Sequence, residues 1–159
     1  MSKPLVVIFM GSKADLEHCL KISDACRGFG LETVLRIGSA HKTPEHALSI
    51  LNEYEADERP KVYITVAGRS NALSGFTDGS VSAPVIACPP PSESFGGVDV
   101  YSSLRMPSGI ASAVVLEPFN AALLAAKIFG VTNAEVRKQV RASQKRAAEK
   151  IIEDDASVR

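Results

Sequence analysis

The run Leu5-Val-Val-Ile-Phe-Met10, ended at once by Gly11, constrains the fold more than any other stretch of this chain. Apolar residues in succession, with no polar alternation, suit a strand covered on both faces, as in a parallel sheet. From Ala14 the period changes. Leu16, Cys19, Leu20 and Cys26 recur at helical spacing until Gly28-Phe-Gly30 stops them. The alternation then repeats. Thr33–Ile37 predicts a second strand, and Pro44, with Thr43 as its cap, opens a helix to about Glu55. Val62–Ala67 predicts a third strand, followed by a short helix from about Asn71. Pro84–Cys88 predicts a fourth, after which Pro89-Pro-Pro91 imposes an extended stretch. Ile110–Leu116 is the fifth, and Asn120–Phe129 a helix. About five strand–helix alternations imply right-handed crossovers and an open, doubly wound parallel sheet with helices on both faces.

A length of 159 residues suits one domain over 1–159, and neither an internal repeat nor a low-complexity linker divides it. The 18 basic and 18 acidic residues cancel, which argues against nucleic acid or an anionic membrane as partner. No apolar run approaches the ~18 residues of a bilayer span. The segment after Met1-Ser2-Lys3-Pro4 is too short for a leader-peptide core of about 7–15 residues. Cys19, Cys26 and Cys88 lack metal or redox spacing, and Cys19 and Cys26 fall on one helical face. Free thiols buried in this way fit a reducing cytoplasm.

Asn133 to about Asp154 is a further helix with a thin apolar stripe of Val136, Val140, Ala147 and Ile151. Arg137, Lys138, Arg141, Lys145, Arg146 and Lys150 crowd its remainder. The pattern fits a solvated helix on its own domain or one packed on a neighbouring subunit.

In open α/β sheets ligands bind beyond the carboxyl ends of the strands, near the point where strand order reverses. The first strand is followed by Gly11-Ser12-Lys13-Ala14-Asp15. The second is followed by Gly38-Ser39-Ala40-His41-Lys42-Thr43-Pro44, and the third by Gly68-Arg69-Ser70-Asn71. Each turn joins a glycine to a serine and a cation and runs into a helix. Glycine admits a close ligand, serine donates a hydroxyl, and a helix amino terminus favours an anion such as a phosphate. Asp15 is placed to accept from sugar hydroxyls. Ser12 and Asp15 also match a capping box of the S-x-x-D kind, so the pair reads either way.

His41 follows a buried strand between Ser39 and Lys42. A loop histidine is often only a surface group, yet an imidazole titrating near neutrality can take and return a proton where a phosphorylated ligand sits. His18 and His46 fall on helices and read as structural or exposed, since neither is expected to point back toward the strand ends. His41 and His46 lack a third ligand, so no metal site is expected. The chain has no G-x-x-x-x-G-K-[ST] loop and no G-x-G-x-x-G after the first strand, so nucleoside triphosphate and dinucleotide chemistry lack support. A small phosphorylated ligand and acid–base chemistry without a cofactor remain.

Met10-Gly-Ser-Lys-Ala-Asp15, Gly38-Ser-Ala-His-Lys-Thr-Pro44, Ala67-Gly-Arg-Ser-Asn-Ala-Leu-Ser-Gly75 and Tyr101-Ser-Ser-Leu-Arg-Met-Pro-Ser-Gly109 resemble the signature segments of the PurE family of purine biosynthesis. The resemblance implies a flavodoxin-like three-layer αβα sandwich with a central parallel five-stranded sheet and an extra carboxy-terminal helix, at 133–155. It also implies a homo-oligomer, an octamer or a tetramer, with that helix engaging a neighbour. Class I members are mutases of N5-carboxyaminoimidazole ribonucleotide, typically with Arg after the loop histidine and a histidine in the segment after strand three. This chain has Lys42 and no histidine in Ala67–Gly75, and is similar to class II. Those enzymes join carbon dioxide directly to 5-aminoimidazole ribonucleotide (AIR), giving its 4-carboxy product (CAIR), without ATP, biotin or metal. The resemblance then implies His41 as general acid and base, Ser12, Ser39 and Lys42 at the phosphate, and Gly11 as a further substrate-binding residue. It implies Asp15 at the ribose, and Gly68, Arg69, Ser70 and Asn71 lining the base and carbon dioxide pocket. Arg69, or less directly Arg105, is a candidate for the new carboxylate, because a guanidinium can bind it with two hydrogen bonds. The class I mutase and a non-catalytic phosphosugar-binding module are the competing readings.

Overall fold

The computed structural model describes residues 3–159; Met1 and Ser2, at the head of the segment read for a leader, lie outside them. Strand β1 (Leu5–Met10) is buried at every residue, as its unbroken apolar run requires. A 3-10 turn over Lys13–Asp15 leads into α1 (Leu16–Gly28), β2 (Glu32–Ile37) and α2 (Pro44–Glu55). Then come β3 (Lys61–Val66), α3 (Ala72–Asp78), β4 (Val85–Ala87), a long 3-10 segment over Ser94–Ser103, β5 (Ala113–Val114), α4 (Pro118–Gly130) and α5 (Ala134–Ser157).

The five strands form one sheet in the order β2-β1-β3-β4-β5, every neighbour parallel. This is the flavodoxin-like order, in which the chain leaves β1 for β2 on one side and returns to β3 on the other. Alternate residues of β1 face opposite layers. Val6, Ile8 and Met10 pack with Cys19, Ile22 and Phe129 on the α1–α4–α5 side. Leu5, Val7 and Phe9 pack with Ala47, Leu51 and Tyr63 on the α2–α3 side. Cys19 and Cys26 are both fully buried, as their helical spacing predicts.

β4 and β5 are shorter than the apolar runs Pro84–Cys88 and Ile110–Leu116 suggest. β5 is an edge strand with one neighbour. The Asp78 carboxylate accepts the Ala111 amide at 2.7 Å and holds the chain before β5 in a loop. Asn133 caps α5, accepting from the amides of Glu135 and Val136 at 3.1 Å. Val136 and Val140 of the apolar stripe are buried, but every residue from 144 to 159 is exposed, Ile151 and Ile152 at 68% each. Arg137 ties the start of α5 to the end of α4 through the Gly130 carbonyl at 2.6 Å. Among the described residues no helix is long and apolar enough to cross a membrane.

Candidate active site

The register sets the site. Met10 of β1 stands level with Ile37 of β2 and Val66 of β3, so the turns that leave these strands open at one sheet edge. Backbone bonds hold them there, from Gly11 N–H to the Val66 carbonyl at 2.9 Å and from Gly38 N–H to the Met10 carbonyl at 3.0 Å.

In the first turn Ser12 does both things its spacing suggests. Its Oγ accepts the Ala14 amide at 3.2 Å, capping the 3-10 turn, and its hydroxyl faces Asp15 Oδ2 at 3.4 Å. Asp15 belongs to that 3-10 turn and not to α1. Burial pushes its carboxyl up, although hydrogen bonds from Ser12 pull the other way.

The second turn is a closed loop. Thr43 N–H donates to the Ser39 carbonyl at 2.9 Å, Ser39 N–H donates to Thr43 Oγ1 at 3.0 Å, and Lys42 N–H donates to Ser39 Oγ at 3.1 Å. Thr43 therefore does not cap α2 with its side chain, contrary to the expectation from Pro44. Its hydroxyl is turned back into the loop, which leaves His41 and Lys42 exposed at the tip. A Cβ on Gly38 would lie 3.0 Å from the Phe9 ring and 3.2 Å from Ala47 Cα, so packing alone demands glycine there. At Gly11 and Gly68 a Cβ would meet nothing nearer than 3.5 Å, an ordinary contact, so packing does not demand glycine at either.

In the third turn Arg69 takes a left-handed conformation, φ 59°. Asn71 is 2% exposed and both ends of its side-chain amide are hydrogen-bonded within the protein. Its Oδ1 accepts the Ser74 amide at 3.2 Å, capping α3, and its Nδ2 donates to Ser103 Oγ at 2.8 Å. Ser102 Oγ accepts the Asn71 amide at 2.8 Å. A cavity of about 300 Å³ opens beside this turn, walled by Gly68, Arg69 and Asn71, by Pro89–Ser92 and by Asp99, Ser103, Leu116 and Glu117. Residues of the first two turns share the sheet edge but stand outside this lining. Ser70 is exposed next to it. Arg105 is exposed and pairs with no acid among the described residues.

Sequence reasoning passed over Pro89–Ser92, Asp99, Leu116 and Glu117. The carboxyl ends of β4 and β5, treated like those of the first three strands, lead directly to Pro89 and to Leu116–Glu117. His18 also departs from expectation, because it does point back toward the strand ends. Its Nε2 lies 3.5 Å from Cys88 Sγ, just past β4. Burial holds its imidazole below the usual range, although hydrogen bonding to the Cys88 backbone pulls upward. His46 is exposed on α2. Among the described residues no group of three or more His, Cys, Asp or Glu side chains could hold a metal ion.

Similarity to known proteins extends over the whole chain. It is 59% identical over 157 residues, 99% of both chains, to a Treponema denticola protein named phosphoribosylaminoimidazole carboxylase. It is 52% identical to an Archaeoglobus fulgidus protein of the same name, over 96% of this chain and 84% of that one. A Rattus norvegicus bifunctional phosphoribosylaminoimidazole carboxylase/phosphoribosylaminoimidazole succinocarboxamide synthetase matches at 49% identity over 87% of this chain and 33% of its own length. The crystal structure of Treponema denticola PurE superposes with a TM-score of 0.97 over 99% of both chains. The family model described as AIR carboxylase matches residues 5–150, which include all three turns and the cavity wall, and the chain belongs to that family.

Proposed function

We propose that this chain catalyses the reversible, direct carboxylation of AIR by carbon dioxide to CAIR, a step of purine biosynthesis, with His41 as the general acid and base. The observation that carries the reading is the 59% identity, over 99% of both chains, to a protein named for this activity. The residues supply the chemistry. AIR is an electron-rich enamine, and its ring carbon beside the carbon bearing the exocyclic amine attacks carbon dioxide. The new carbon–carbon bond leaves a proton on that ring carbon. His41, held at the tip of the closed Ser39–Thr43 loop, removes it and restores the aromatic ring. In reverse the imidazolium protonates the same carbon and carbon dioxide departs. No electrons are exchanged with a cofactor, and neither ATP nor biotin takes part.

Lys42, Ser39 and Ser12, with Gly11 beneath, hold the phosphate, and Asp15 holds the ribose. Gly68, Arg69 and Ser70 face the base and carbon dioxide, with Arg69 on the developing carboxylate. Asn71 serves this wall from within, since its side-chain amide is spent on Ser74 and Ser103. Lys42 after the loop histidine, and the absence of a histidine from Ala67–Gly75, favour the carboxylase over the class I mutase.

The chain works as a homo-oligomer, an octamer or a tetramer, in the cytoplasm. Residues 144–157 of α5 are all exposed, and i,i+4 ion pairs such as Lys150–Asp154 support their helix in place of packing. A second copy supplies the apolar contacts that Ile151 and Ile152 lack. Light scattering on the purified protein reads the assembly, and a monomer rejects it.

The activity test offers AIR with bicarbonate and no ATP, beside the N5-carboxylated compound in a separate reaction. Turnover of AIR that depends on dissolved carbon dioxide is expected. Fast use of the N5-carboxylated compound, with AIR consumed only at very high bicarbonate, makes the chain a mutase.

A further inference from the structure

We infer that Ser102 is a positioning residue for this reaction: its hydroxyl latches the Arg69 turn in the left-handed conformation that presents Arg69 to the cavity. The inference rests on the carboxylase reading above, and adds a residue to which no role has been given. Arg69 is one of only two described non-glycine residues with positive φ, at 59°. A residue bearing a Cβ seldom adopts that conformation, and it persists where the surroundings fix it from several sides.

Ser102 is what fixes it. Its Oγ accepts the Asn71 N–H at 2.8 Å, and its hydroxyl has two acceptors in reach, the Asp99 carbonyl at 2.7 Å and the Arg69 carbonyl at 3.2 Å. One hydroxyl therefore grips the backbone on both sides of Ser70, from a position more than thirty residues along the chain. Ser103 adds a second tie through Asn71 Nδ2 at 2.8 Å. The two serines come from the far end of the 3-10 segment that begins at Ser94 and kinks at Phe95, Gly96 and Gly97. They join the cavity wall containing Asp99 to the wall containing Arg69.

Arg69 meanwhile is exposed and makes no ion pair among the described residues, so no partner of its own side chain holds it in place. Without the latch the turn is free to relax toward ordinary backbone angles, and the direction of the Arg69 Cβ changes with φ. A misplacement on the scale of an ångström in a group that steadies developing charge lowers turnover more than it weakens ground-state binding.

The test is a double-mutant cycle on the full chain. Ser102→Ala is expected to lower kcat at least about tenfold while KM moves less than about threefold. Ser102→Thr, which keeps the hydroxyl, restores kcat to within about threefold. In an Arg69→Gly background, itself impaired, Ser102→Ala costs less than about twofold more, because the residue it positions is gone. A Ser102→Ala enzyme with kcat within twofold of the parent overturns the inference, as does a full-sized effect in the Arg69→Gly background. Should Ser102→Ala not fold, Ser102→Cys, with its weaker acceptor, takes its place in the cycle.

Amide hydrogen exchange at Asn71 reads the latch with no substrate present. Faster exchange in Ser102→Ala, at an unchanged rate for buried β1 amides, is expected, and unchanged exchange at Asn71 overturns the latch. A parent protein that does not turn over AIR refutes the carboxylase reading, while the exchange result still decides whether Ser102 fixes the turn.

Discussion

Thr43 Oγ1 accepts the Ser39 amide at 3.0 Å, and the Thr43 amide in turn donates to the Ser39 carbonyl at 2.9 Å. The pair closes a loop whose tip is His41, so a hydroxyl that propensity assigns to a helix cap instead shapes the loop that carries the proposed acid–base group. Thr43→Val keeps the shape and removes the acceptor. Because the loop is exposed, the freed amide finds water, and the loss in stability is about 0.5–1.5 kcal/mol. A melting point lower by only a few degrees, with kcat down roughly tenfold, is the expected pattern. Unchanged kcat would mean the loop holds His41 without this bond.

His41 and Lys42 are adjacent at that tip, and the proposed reaction gives them different work that substitution separates. His41→Asn should leave CAIR affinity within a few-fold and lower turnover by at least ~10², the loss of a general base. Lys42→Ala should do the reverse, weakening affinity through the phosphate while the residual kcat stays closer to that of the parent. Titration calorimetry beside steady-state kinetics distinguishes the two, and matching profiles for both variants would refute the division of roles.

Gly38 and Gly11 look alike in the sequence, each ending a strand and preceding a serine, yet the structure sets them apart. A Cβ at Gly38 would sit 3.0 Å from the Phe9 ring, whereas at Gly11 the nearest atom is 3.5 Å away. Gly38→Ala should therefore cost about 1–3 kcal/mol by overpacking. Gly11→Ala should fold with a melting point close to the parent's and, on the proposed phosphate site, bind AIR more weakly, because its methyl stands where the phosphate would approach the backbone. Thermal denaturation and a binding isotherm on both variants check this, and normal AIR affinity in Gly11→Ala would take Gly11 out of the site.

This contrast also marks how far the sequence could be read. The unbroken run of β1, the helical spacing of Cys19 and Cys26, and the glycine–serine turns were legible because each depends on neighbours within a few residues. Level strand ends follow from the parallel register, so three turns at one edge were legible too. Asn71 was not: next to Ser70 it reads as another polar group for a ligand, and only Ser103, far along the chain, turns its amide inward. His18 was misread for the same reason, since its partner Cys88 belongs to another strand's end. The Ser94–Ser103 segment carries no periodicity, and its conformation is held by bonds to the third turn. β5 came out short because sheet pairing at an edge is decided by what lies beside the strand.

The three cysteines, Cys19, Cys26 and Cys88, are buried and unpaired, and burial pushes each thiol up to about 12. Thiolate is the reactive form, so these groups should be inert in the folded protein at mildly alkaline pH. A chromogenic disulfide reagent should titrate none of them in the native state and all three in denaturant. Rapid native labelling of Cys88, the thiol beside His18, would show that the end of β4 opens readily.

Acid should unfold the protein partly through Glu55, which stands at the opposite end of the sheet from the proposed site. Burial pushes the Glu55 carboxyl up, but donors outweigh it: the Ser82 amide and hydroxyl at 2.9 Å and the Tyr63 hydroxyl at 2.9 Å hold it below its ordinary value of 4.5. The unfolded chain therefore binds the proton more readily than the folded one. The contribution of Glu55 to stability is fully present above 4.5 and is lost as pH falls through the lower folded value. Asp57, lowered by its hydrogen bonds with Arg59, acts in the same direction. Glu55→Gln keeps the size of the side chain and removes its charge, so either Tyr63 or Ser82 faces an amide NH2 that cannot accept its hydrogen bond, while the other faces a neutral carbonyl. The variant should be less stable at neutral pH by about 1–3 kcal/mol. Below 4.5 its stability should fall less steeply with pH than the parent's, because one titrating group is gone while Asp57 remains. Denaturant melts at a series of pH values give both slopes, and parallel slopes would exclude Glu55 from the acid response.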